Sequence, residues 1–148
     1  MPDPPEITDV AGRMRLSVTR LARHLRRQGE SGLSPTLTAA LATISRHGPL
    51  TLGSLAEREQ VTPPTITKVV TRLEADGLVT RTTAAGDRRV AFAAITDRGA
   101  ELLHETRARK DAWLTARVAE LSTTDVARLA AALPIIERLA GTSEQLAR

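Results

Sequence analysis

"TPPTITKVVTRLEADGLVTRTTAAGDRRVAFAAIT", residues 62 to 96, reads as a helix, a stop and a hairpin in direct succession. Thr62 is an N-cap residue type, and Pro63 suits the first helical position, where a missing N–H costs nothing. The spacing predicts a helix to about Asp76, with Gly77 at the position after the cap. Stepping about 100° per residue from Ile66 brings Val69, Val70 and Leu73 onto one apolar face. Pro64, Thr65, Lys68, Thr71, Arg72 and Ala75 fall on the opposite side, with Thr67 on the flank. Two β-prone runs follow, residues 78 to 82 and 89 to 95, around Gly86-Asp87, which predicts a hairpin. The second run is apolar on both sides (Val90, Phe92 and Ala94; Ala91, Ala93 and Ile95), so both faces are expected to be partly covered.

Working upstream, Ser34-Pro35 repeats the cap-and-proline signal and starts a helix carrying Leu37, Leu41 and Ile44, which stops near Gly48-Pro49. Thr51 opens a short helix, "LGSLAERE", closed by Gln60-Val61. Helix, short helix, turn, helix and hairpin make a winged helix-turn-helix over residues 34 to 96. Outside it, Ile7, Val10, Met14, Val18, Leu21 and Leu25 form one stripe of a long helix ended by Gly29 and Gly32. Thr96 caps another long helix reaching about Ala119, with Leu102, Leu103, Trp113 and Leu114 apolar. Ser122 with Asp125 starts the last helix, striped by Val126, Leu129, Leu133, Ile136 and Leu139 and expected to kink at Pro134. The expected fold class is mainly α with a small β-hairpin wing. A disordered tail is expected at residues 1 to 6, and helical regions at 7–33 and 97–148.

Composition narrows the function. The 148 residues carry a formal net charge of +4 and contain no cysteine, which excludes disulfides, thiolate metal sites and cysteine redox sensing. No apolar run approaches the roughly 18 residues of a membrane span. The start, "MPDPPEITDV", is acidic and proline-rich and is no signal peptide, so a cytoplasmic location is expected. There is no phosphate-binding glycine loop, zinc-protease motif or nucleophile elbow. His24, His47 and His104 share no ligand spacing. No catalytic residue, metal or cofactor is expected, and the chain is not read as an enzyme.

The basic excess fits a polyanion. Threonine on the outer face of the 62–76 helix can bond a base edge or touch a thymine methyl, and Lys68 or Arg72 can reach guanine or phosphate. Short groups near its start would let the backbone approach, where free N–H groups favour phosphate. The alternative is an ordinary solvated helix. In the hairpin, Asp87 and Arg89 lie two apart and project to one side. A bidentate pair would hold the guanidinium for a narrow, electronegative minor groove, with Arg88 left for phosphate. The alternative is a hydrophilic tip with a weak ion pair. Arg20, Arg23, Arg26 and Arg27 read as a solvated face or a phosphate contact, and Trp113 as core or ligand platform. A winged helix that binds only protein is the remaining alternative function.

Residues 50 to 103 resemble the MarR family of bacterial transcriptional regulators. The resemblance rests on Leu73-Glu74, Gly77-Leu78-Val79, Arg81, Asp87-Arg88-Arg89 and Ile95-Thr96-Asp97-Arg98-Gly99, in that order and spacing. It implies a sequence-specific double-stranded-DNA-binding regulator, a repressor acting as a homodimer on a roughly palindromic operator. By position, Arg89 would enter the minor groove with Asp87 holding it. Pro64, Thr65, Thr67, Lys68 and Arg72 would face the major groove. The regions 7–33 and 97–148 would form the dimer, through Ile7, Val10, Met14, Val126, Leu129, Leu133 and Ile136. It also implies relief by a small aromatic or anionic effector, although Phe92 and Trp113 are the chain's only aromatic side chains.

Overall fold

The computed structural model describes residues 6–141. Almost all of the tail expected at 1–6, and the end of the region 97–148, lie outside the described residues. The described elements are α1 (Ile7–Gln28), α2 (Pro35–His47), β1 (Leu50–Thr51), α3 (Leu52–Glu59), α4 (Pro63–Ala75), β2 (Val79–Ala84), β3 (Asp87–Ile95), α5 (Asp97–Ala119) and α6 (Thr123–Leu139). The expected class holds: six helices and one small antiparallel sheet among the described residues. The chain divides into two compact units, residues 1–110 and 111–148.

The first unit has its core between α2, α3, α4 and the sheet. Leu41, Ile44, Leu55, Val70 and Leu73 are wholly buried there, with Ile66, Leu78, Val79 and Ala93 beside them. The inward face of α4 is Ile66, Val69, Val70 and Leu73, as helical spacing requires. No aromatic side chain belongs to this buried cluster. Branched aliphatics and alanine fill it, and they suit close helix packing.

Local chemistry sets the ends of the helices. The Ser34 hydroxyl accepts from Leu37 N–H, Thr51 from Ser54 N–H and Ser122 from Asp125 N–H. Thr62 departs from the expected cap. It stands at the N-cap of α4, but its Oγ1 lies 2.9 Å from the Thr65 hydroxyl and takes no backbone N–H. Gln60 ends α3 in the left-handed region, the one described non-glycine residue with positive φ. Gly77 follows α4 at φ 72°. Pro134 sits inside α6, which continues to Leu139.

The hairpin is longer than the sequence suggested. β2 and β3 pair from Val79↔Ile95 to Thr83↔Ala91, and Ala84 faces Asp87 after a register shift. The turn is therefore Ala85-Gly86, and Asp87 belongs to the strand. Pairing can extend because Thr82, Thr83, Arg88 and Arg89 are exposed and face no burial constraint. β1 was not anticipated: Leu50 pairs with Ala93 and Thr51 with Phe92, giving the sheet order β1-β3-β2. A two-residue strand carries no periodicity of its own. Its presence makes β3 the central strand, and with α2 and α3 also against β3, residues 90 to 95 are all half-buried or buried.

Thr96 ties the hairpin to what surrounds it. Its hydroxyl donates to the Gly77 carbonyl (2.7 Å) and accepts from Gly99 N–H (3.1 Å), while its own N–H meets the Leu78 carbonyl. One residue thus caps α5 and pins the end of β3 to the turn that leaves α4. The first turn of α5 comes so near that a Cβ at Gly99 would lie 2.2 Å from the Leu78 carbonyl oxygen. Only glycine permits that approach.

Candidate nucleic-acid interface

α4 presents its outer face to solvent. Pro64, Thr65, Thr67, Lys68, Thr71 and Arg72 are all exposed, opposite the buried Ile66, Val69, Val70 and Leu73. The hydroxyls are already partly committed. Thr67 donates to the Pro63 carbonyl (3.0 Å) and Thr71 to the Thr67 carbonyl (2.8 Å). Each oxygen keeps accepting capacity, which suits an exposed threonine to a base-edge donor, as its methyl suits a thymine methyl. The helix start is a poorer anion site than expected. Pro63 and Pro64 hold the first two helical positions and have no N–H, so of the four leading donors only those of Thr62 and Thr65 remain.

Cations on the two elements fall into two kinds. Arg72 Nε donates to Asp76 Oδ2 at 3.0 Å, one helical turn along. Arg89 is held by Asp87, although not by the expected fork. A single carboxylate oxygen, Oδ1, accepts both the Arg89 backbone N–H (3.0 Å) and its Nε–H (3.2 Å). The short reach from residue 87 to residue 89 along one strand brings Nε, and not the guanidinium end, to the acid. Both terminal nitrogens of Arg89 therefore stay free, and its side chain is 92% exposed. Lys68 and Arg88, also exposed, have no ion-pair partner among the described residues. A third pair, exposed Arg81 with half-buried Glu74 at 3.4 Å, joins β2 to α4.

Sequence reasoning missed the pairing of Asp76 with Arg72. The signal was present as an acid four residues after Arg72 on a helix. It also missed a cavity of about 500 Å³ in the first unit. Arg23, Arg26 and Arg27 from α1 and Lys110 from α5 line it, together with Glu30, Leu33 and Ala39. None of those four cations has an ion-pair partner among the described residues. Lys110 reaches the cavity by crossing Gly29, where a Cβ would meet its Cε at 2.2 Å. Among the described residues no group of three or more His, Asp or Glu is placed to hold a metal. No described helix is long and apolar enough to cross a membrane.

The stripes on α1 and α6 are largely uncovered. Ile7, Val10, Val126, Leu129 and Leu133 are exposed, Met14 and Ile136 are half-buried, and neither helix buries a single residue.

A core-packed helix that shows hydroxyls and cations, followed by a slender hairpin with a held arginine at its tip, defines a winged-helix DNA-binding protein. The sequence model of the MarR family matches residues 33–91. An HTH-type transcriptional regulator of Mycobacterium tuberculosis is 38% identical over 127 residues, covering 84% of this chain and 89% of that protein. The HTH-type transcriptional repressor MdtR of Bacillus subtilis is 29% identical over 116 residues, 78% of this chain and 75% of that one. Among solved structures, the YusO protein of Bacillus subtilis superposes with a TM-score of 0.72 at 26% identity, covering 94% of this chain and all of that one. The chain belongs to the MarR family and is a DNA-binding transcriptional regulator.

Proposed function

We propose that the protein is a repressor that acts as a homodimer on a roughly palindromic double-stranded operator. The observation that carries this reading is the joint exposure of Thr65, Thr67, Lys68 and Arg72 on α4 and of Arg89, tethered to Asp87, on the hairpin. α4 lies in the major groove, where Thr65, Thr67 and Arg72 reach base edges and Lys68 reaches phosphate. The hairpin lies along the backbone, with Arg89 in the minor groove and Arg88 on phosphate. The relative MdtR, named a repressor, supports repression. The exposed stripes of α1 and α6 support a dimer, because apolar area taken from water stabilises an interface by roughly 25 cal/mol per Å². A two-fold dimer reads half-sites about one helical turn apart.

The cavity, lined by four cations and one acid, Glu30, supports relief by a small organic anion, with Arg23, Arg26, Arg27 and Lys110 outweighing Glu30 and neutralising the anion's charge and Leu33 and Ala39 contacting its body. Release of bound DNA by benzoate or hexanoate in the wild type, lost in Lys110→Ala, is the expected result.

Binding to random duplex DNA across a salt series tests the reading. Affinity should fall steeply, by about a thousandfold between 50 and 200 mM salt for six phosphate contacts. Absence of binding at low salt would overturn it. A footprint upstream of the protein's own gene should then show two symmetric half-sites.

A further inference from the structure

We propose that Asp76 is a positioning residue for DNA recognition, aiming Arg72 end-on at a base and withholding it from the phosphate backbone. The proposal rests on the reading of α4 as the major-groove helix. Arg72 and Asp76 sit one turn apart on the C-terminal part of α4, the side chains 68% and 31% exposed. A pair this open adds little to folding, since exposed ion pairs are screened by water. Nor does Asp76 cap the helix through its side chain: its backbone N–H meets the Arg72 carbonyl, Gly77 N–H meets that of Glu74, and the Asp76 carboxylate is left for Arg72. What the pair does is geometric.

Asp76 Oδ2 takes the Nε–H of Arg72 at 3.0 Å. That leaves the two terminal nitrogens of an exposed guanidinium, a planar fork with no other hydrogen bond among the described residues. Such a fork matches O6 and N7 of guanine in the major groove. The acid also adds a repulsive element. A carboxylate beside the guanidinium disfavours a phosphate oxygen at the same place, so binding that depends on backbone charge alone is weakened. Arg89 repeats the arrangement on the hairpin, with Nε on Asp87 and its terminal nitrogens free. Lys68 and Arg88, with no carboxylate beside them, are suited to phosphate. The surface thus divides its cations by partner: those held at Nε select, and those left alone attract.

The test uses the full-length protein, an operator duplex selected from a random pool, and a random duplex of equal length. The measured quantity is the ratio of the two affinities across a salt series. Asp76→Ala is expected to lower operator preference about five- to tenfold. It should also strengthen random-duplex binding and steepen its salt dependence by about one phosphate contact, as Arg72 becomes free to pair with the backbone. Asp76→Glu keeps a carboxylate one turn from Arg72 and should retain most of the preference. In an Arg72→Ala background, Asp76→Ala should change the ratio no further, because the acid acts through the arginine. An unchanged ratio in Asp76→Ala overturns the proposal. So does an equal loss of both affinities with a lower thermal midpoint, which marks a structural role only. Additive effects in the double variant overturn it as well. Wild-type protein that binds neither duplex overturns the DNA reading itself, and this proposal with it.

Discussion

At the scale of the residue, Arg89 and Lys68 differ in how they are held. Arg89 is tied to Asp87 through Nε and its own backbone N–H, which limits the directions its guanidinium can take. Lys68 has a point charge on a flexible stem and no partner among the described residues. Arg89→Ala should weaken operator binding by about five- to a hundredfold, the range of one groove contact. Folding stability should move by no more than about 0.5 kcal/mol, since the side chain touches nothing buried. Normal operator affinity in that variant, measured by fluorescence anisotropy, would count against the wing assignment. Lys68→Ala should weaken operator and random duplexes alike and reduce the salt slope by about one. A change in base preference instead would make Lys68 a reader of bases. The pairing of Asp87 with Arg89 was legible because two residues apart in a strand share a side. The single-oxygen geometry was not, because it depends on side-chain reach, which spacing does not specify.

At the scale of the element, the base of the hairpin is fixed by contacts to the segments on either side of it. Thr96 bridges Gly77 and Gly99, and the bare α-carbon of Gly99 lets α5 begin directly against Leu78. Gly99→Ala should therefore cost about 1–3 kcal/mol, because the Leu78 backbone has to shift to admit a methyl. Urea denaturation measures this, and an unchanged midpoint would show that the start of α5 can slide without cost. The six helices were readable from caps and apolar spacing, since both are local properties. β1 was not, because Leu50 and Thr51 are strand only by virtue of pairing with Ala93 and Phe92, about forty residues away in the chain. The apolar residues of β3 pack against α2 and α3, a cover that its double-sided apolar pattern had pointed to without naming.

At the scale of the whole molecule, the apolar stripes of α1 and α6 raise the question of what covers them. Ile7 is 87% exposed and Leu133 46% exposed in the single chain, although both lie in stripes with the spacing of a packed face. Leu133→Asp is close to neutral for one chain, where the carboxylate stays in water. In a dimer it would place an unpaired charge in an apolar interface. The variant should sediment as a monomer with its helical circular dichroism intact. A folded dimer at micromolar concentration would show that the α6 stripe is not the interface.

The helix order, the inward face of α4, the turn after it and the winged class followed from sequence alone, because caps, glycines and apolar spacing act over a few residues. The family followed from motifs whose order and spacing lie within residues 50 to 103. Tertiary structure decided the rest. It added β1 to the sheet, put Thr96 between Gly77 and Gly99, turned the Arg89–Asp87 fork into a single-oxygen contact, and brought Arg23, Arg26 and Arg27 to the same cavity as Lys110. Most of these contacts join groups far apart in the chain, and the remainder turn on the reach of one side chain. Their energies depend on distances that packing sets, and no local pattern of residues encodes those distances.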